Sequence, residues 1–166
     1  IGQVYLYREN EDIPIDDNGK AMLPLLQICL EGLPYIPDAL KGSKVLTIFV
    51  SENMPGRLAY NGDAWVIREY KEEDVLVVKD IYMQSSSRIK PYPLKSQLIT
   101  EDYPVWDSGD IPMDIEDELV EMEDSGEITD YYDYTDCFAG HKIGGYPNYI
   151  QSGIDFGDGY EFMIQI

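Results

Sequence analysis

Apolar residues along the chain gather in short runs, most of them with the length and composition of β-strands. Residues 4–7 are apolar and aromatic, and 23–30 form a longer run broken by Pro24. After the turn-rich stretch EGLPYIPDALKG, residues 45–50 read VLTIFV, a pattern that predicts a well-buried strand. Residues 64–70 and 75–78 are joined through Lys71, Glu72, Glu73 and Asp74, a spacing that predicts a hairpin. Near the other end, 146–151 and 160–166 are expected as strands on either side of the turn-forming GIDFGDG.

One segment has a different period. In residues 112–124, PMDIEDELVEMED, the apolar Ile115, Leu119 and Met122 recur at spacings of four and three, which predicts an amphipathic helix. Asp110 is a candidate N-cap, although Pro112 then stands one place late for the preferred first helical position. Asp114 and Glu116 suit the helix dipole, whereas Glu121, Glu123 and Asp124 oppose it. The acids are therefore expected to serve solubility or a partner rather than the helix itself.

Charge narrows the function classes. The 166 residues carry 12 Lys and Arg against 32 Asp and Glu, a formal net charge of −20. A nucleic-acid binder needs a basic footprint to neutralise phosphates, and a polybasic membrane-surface protein needs one too; neither is present. Residues 101–136 hold 15 carboxylates and no Lys or Arg, interleaved with Tyr103, Trp106, Ile111, Ile115, Leu119, Met122, Ile128, Tyr131, Tyr132 and Tyr134. Such a block is either a solvated helix face with an acidic loop or an interface in which aromatics anchor and charges steer a basic partner. On the second reading the contact residues are Trp106, Glu116, Glu118, Glu121, Glu123, Tyr131 and Tyr132. Only Cys29 and Cys137 are present, so a dense disulfide framework is excluded and a reducing, cytoplasmic setting is the expectation. Cys29, within LLQICL, is expected to be a small core filler. No run reaches the roughly 18 apolar residues of a membrane span.

The two ends of the chain echo one another. IGQVYLY precedes MLPLLQICL near the start, and IGGYPNYI precedes YEFMIQI near the end, each copy closing on an apolar strand that contains Gln-Ile. Gln27 and Gln165 fall at related positions, where a polar side chain in an apolar strand is expected to bridge backbone groups. In MLPLLQICLEGLPYIPDALKGSKVLTIFV of the first half, and in HKIGGYPNYIQ, with Gly144, Gly145, Pro147 and Gln151, followed by YEFMIQI in the second, the sequence resembles the YwqG-like family of bacterial proteins. The resemblance implies one α+β domain over residues 1–166, mainly antiparallel, with duplicated halves near 1–90 and 91–166 and few helices. Gly2-Gln3-Val4 departs from a complete Gly-Gly-x-Pro pattern, so the first copy is degenerate or cut at its start. Family members usually continue past the strand ending here at Gln165 and Ile166, which implies that the final β elements are missing. Some relatives look like immunity proteins encoded beside polymorphic or type VI secretion toxins. The resemblance transfers no catalytic residue.

The chemical alternatives are thin. His141 is the sole histidine, and Gly140 between it and Cys137 argues against a helical Cys-His pair. AGHKIGGYP lacks the Gly-Lys-Ser/Thr ending of a phosphate loop, so Gly144 and Gly145 are expected to meet a backbone requirement. Neither DFGDG, with Asp155, Asp158 and Glu161, nor DIPIDDNG matches an EF-hand. No cofactor or metal is expected. The sequence thus points to a non-enzymatic immunity protein that binds a cognate protein toxin with a basic surface. A structural or other interaction role and a hydrolase are the alternatives.

Overall fold

The computed structural model describes residues 1–52, 60–81, 89–106, 108–148, 159 and 161–166, and the chain divides into two compact units, Ile1–Gln97 and Leu98–Ile166. The fold is α+β and dominated by antiparallel sheet: the strand pairs are antiparallel, and the described residues contain one α-helix and two 3-10 turns.

Unit one is built on a three-stranded sheet in the order β2 (Leu23–Cys29), β3 (Ser43–Val50), β4 (Trp65–Lys71). VLTIFV lies in the central strand, and all six of its residues are buried. A strand covered on both faces has no reason to alternate, and this one does not. The edge strand β2 alternates instead, burying Pro24 and Leu26. Its register slips between Pro24 and Leu26, where proline has no N–H to give to the ladder. Cys29, at the far end of β2, is exposed; the expectation that it fills the core is corrected, because the buried positions are the even ones, Met22, Pro24, Leu26 and Leu30, and Cys29 falls on the outward phase.

The hairpin expected from 64–70 and 75–78 does not form. β4 pairs with β3, while β5 (Val77–Val78) pairs with β1 (Leu6–Tyr7). Two side chains make the choice intelligible. The Asn61 carboxamide takes the outer edge of β4, accepting from Ile67 N at 2.9 Å and donating to Ile67 O at 3.4 Å. The chain does turn at Lys71–Asp74, but Arg8 grips Asp74 through Nε and Nη2, at 3.0 and 2.9 Å, and so draws the next strand toward β1. Beneath these pairings Val4, Tyr7, Ile13, Met22 and Phe49 form the core cluster of the unit. Burial pushes the Tyr7 phenol up to about 12. Burial also works to raise the Glu11 carboxyl, but hydrogen bonds from Arg8 N and the Tyr70 hydroxyl, together with Arg68, hold it below its ordinary value.

Unit two contains α1 (Met113–Ser125) and the short pair β6 (Lys142–Ile143) with β7 (Ile164–Gln165). Pro112 rather than Asp110 occupies the N-cap, without a side-chain cap. The other end is well closed: Gly126 is left-handed at φ 76°, its N–H donates to Glu123 O, and Glu127 N donates to Met122 O. No side chain of α1 is fully buried. Of the two strands expected in 146–151 and 160–166, only Ile164–Gln165 is strand among the described residues. Gln151, Asp155, Asp158 and Tyr160 lie outside them.

One hydrogen-bond arrangement occurs in each unit. Gly2 N donates to Leu25 O, and two residues on from Leu25 the Gln27 side-chain oxygen accepts from Tyr5 N and Leu6 N, both at 2.9 Å. Gly144 N donates to Met163 O, and two residues on from Met163 the Gln165 oxygen accepts from Asn148 N at 2.8 Å. Leu6 and Asn148 each stand four residues after the glycine; Tyr5 corresponds to Pro147, which has no N–H to offer. Gln27→Ala removes the acceptor of two backbone donors, one exposed and one part-buried, and is expected to destabilise unit one by about 1 kcal/mol, the net worth of an ordinary hydrogen bond. Urea denaturation followed by circular dichroism checks it, with a change under about 0.5 kcal/mol counting against the bridge.

Candidate protein interface

A small part-buried frame in unit two ties Asp102 to the segment that follows the acidic block. Asp102 accepts from Phe138 N at 2.9 Å, from Tyr146 N at 3.1 Å and from Lys142 Nζ at 2.8 Å. The ion pair is shielded, with side chains 12% and 9% exposed. Burial opposes ionisation of Asp102, but the Lys142 ammonium and the two backbone donors prevail and hold the carboxyl below its usual range. Gly145, at φ 76°, lies against this carboxylate; a Cβ there would run into Asp102 Oδ2, so both the backbone angle and the space demand glycine. The neighbouring Gly144 also has positive φ, at 71°, and Pro147 is buried.

A second set of bonds positions the aromatics. Asp130 caps a 3-10 turn, Tyr131–Asp133, by accepting from Tyr132 N at 2.9 Å. The turn directs the Tyr131 hydroxyl to Pro104 O, 2.9 Å away, and the Tyr132 hydroxyl accepts from Trp106 N at 3.0 Å. Trp106, Tyr131 and Tyr132 therefore come together, with successive ring centroids 5.3 and 5.2 Å apart. Their exposures differ: Tyr131 is buried at 7%, Trp106 is half-buried and Tyr132 is half-exposed. Tyr131 thus supports the cluster from below, while Tyr132 is free to touch a partner.

Glu116, Glu118, Glu121 and Glu123 are all exposed on α1. At about 100° per residue they do not share one face. Glu118 flanks the Ile115–Leu119–Met122 stripe on one side, Glu116 and Glu123 flank it on the other, and Glu121 points away. Leu119 and Met122 are half-buried, and with Glu127, Ile128, Tyr131, Tyr134 and Thr135 they line an open groove of about 300 Å³. Glu127, Ile128, Tyr134 and Thr135 do not stand out as contact residues in the sequence. Their signal is Gly126, whose left-handed turn sends the chain back along the helix so that Ile128 N can reach Met122 O.

The charge is divided unequally between the units. Residues 98–166 contain 18 of the 32 acids and only one of the 12 Lys and Arg, and so account for −17 of the net −20. That one base, Lys142, is already engaged by Asp102. Among the described residues no Lys or Arg lies in ion-pair contact with a carboxylate of 110–136. In unit one, by contrast, Arg8, Lys20, Lys41, Arg68 and Lys71 all pair with acids.

The Cys137 thiol is pushed up by burial and by Asp102, and its Sγ lies 3.2 Å from Pro104 O, while His141 is exposed. That environment is the opposite of one that activates a thiolate. Among the described residues no group of three or more His, Cys, Asp or Glu is placed to hold a metal ion, and no helix is long and apolar enough to cross a membrane. No family model, curated protein or solved structure matches the chain.

Proposed function

We propose that this protein is a non-enzymatic binding protein that neutralises a cognate antibacterial toxin in the cytoplasm, with unit two as the contacting surface. The observation that carries the reading is the segregated charge: seven carboxylates on one exposed helix, with no ion-pairing Lys or Arg among the described residues, beside clustered aromatics. Such a field accelerates encounter with a basic protein and repels acidic ones. Trp106 and Tyr132 then supply apolar contact, and Glu116, Glu118, Glu121 and Glu123 supply the steering. If the toxin is a nuclease, these carboxylates occupy the territory of the substrate phosphates. Neither nucleic acid nor a membrane is a partner in it.

Purification of the full chain from its native organism tests this. One basic protein is expected at near-equal stoichiometry, with its toxicity suppressed by the complex. Recovery of no basic protein, or of one whose toxicity is unchanged, contradicts the proposal.

The recurring glycine–glutamine arrangement supports a further part of the reading, that the units are copies of one ancestral motif. Each copy uses the strand-borne glutamine to tie down an incoming segment whose glycine pairs two residues upstream.

A further inference from the structure

The groove beside α1 goes beyond general charge attraction. Its floor is apolar, made by Leu119, Met122, Ile128 and Tyr131, and Tyr134 stands at its mouth with 69% of its surface exposed. Glu127 is in the wall. Glu118 stands on one flank of the helix stripe, and Glu116 and Glu123 stand on the other. The volume, about 300 Å³, is at the lower edge of the range for small-molecule pockets, about 300–1,000 Å³, and accommodates one large apolar side chain. An apolar slot ringed by carboxylates selects an apolar residue presented between cations. A second copy of this chain is disfavoured because each copy would bring a unit of net charge −17 toward another of the same sign, and an anionic bilayer is disfavoured because it repels that charge as well.

We infer that this groove receives a partner segment in which a large apolar side chain is flanked by lysines or arginines, the apolar group entering between Met122 and Tyr134 and the cations pairing with Glu127 and the flanking acids. The inference rests on the protein-binding reading above and specifies how that surface selects its partner.

Two synthetic peptides test it on the full chain. One is lysine-rich with leucines and a phenylalanine at helical spacing; the other has the same lysines with every apolar residue replaced by serine. Binding is followed by fluorescence anisotropy and by amide chemical shifts. The apolar peptide is expected to bind at least tenfold more tightly, to shift amides of residues 119–135, and to lose at least fivefold on Tyr134→Ala. Tyr134 is exposed, so its removal leaves the fold intact; Leu119→Ser provides a second reading, with helicity checked by circular dichroism. Glu31→Gln, at an exposed position of unit one, is expected to change affinity less than twofold. Equal, salt-sensitive binding of both peptides overturns the groove while leaving the acidic surface as a binder. Binding of neither overturns both. A dimer seen by sedimentation, with the same amides perturbed by dilution, makes a second copy the occupant and also overturns the inference.

Discussion

Asp102→Ala is expected to destabilise unit two by about 2–3 kcal/mol, below the roughly 3–5 kcal/mol of breaking a fully buried pair, because this pair is part-buried. The substitution leaves Lys142, 9% exposed, without its counter-charge and strands the N–H groups of Phe138 and Tyr146. Lys142→Met is expected to cost much less, since Asp102 keeps both backbone donors and the methionine stem covers the same neighbours. The same carboxyl makes unit two acid-sensitive. Its folded-state value lies below its ordinary one, so its stabilisation is present above the unfolded value, about 4, and is lost as the pH falls through the folded value. Trp106 is the only tryptophan of residues 98–166, so its fluorescence in a Trp65→Phe background reports on unit two alone. Equal, small effects of Asp102→Ala and Lys142→Met, or an acid transition that Asp102→Ala leaves unchanged, would refute the frame described for this unit.

Joint replacement of Glu116, Glu118, Glu121 and Glu123 by glutamine is expected to weaken the basic partner by about 10–100-fold at low salt. Exposed charge pairs contribute about 0.2–1 kcal/mol each, and about 1.4 kcal/mol is tenfold in affinity. Most of the loss should fall on the association rate, and the salt dependence should flatten. Unfolding would not explain such a loss. Glutamine and glutamate have similar helix propensity, and removing Glu121 and Glu123 from the C-terminal turns relieves a charge that opposes the dipole. Helicity is therefore expected to hold or rise. Surface plasmon resonance at two salt concentrations reads the rates; an unchanged association rate would show that these acids are only solvated.

Much of the strand and helix content was legible because it rests on local pattern. VLTIFV reads as a strand because its run of apolar and β-branched residues is complete in itself, and α1 reads as a helix because Ile115, Leu119 and Met122 keep its period. Partner choice was not legible. Nothing near residues 75–78 says that Asn61 covers the edge of β4 or that Arg8, 66 residues away, holds Asp74, and with these bonds in place β5 pairs with β1 and not with β4. The candidate surface shows the same division. Its acids and aromatics stand out in the sequence, but that Tyr131 is buried while Tyr132 is half-exposed goes with a hydrogen bond from Tyr131 to Pro104, 27 residues away. The groove was hidden for a related reason: five of its seven lining residues lie beyond the helix, where a glycine turn and not a periodic stripe brings Ile128 and Tyr134 to Met122.

The central claim, that unit two is the surface on which a basic protein is held, is tested most directly by hydrogen exchange of the full chain with and without the purified partner. Slowed exchange is expected in 113–135, covering α1, its closing turn and the Tyr131–Asp133 turn, with the 23–50 sheet unaltered. Protection confined to residues 1–97, with 113–135 exchanging as in the free protein, would contradict it.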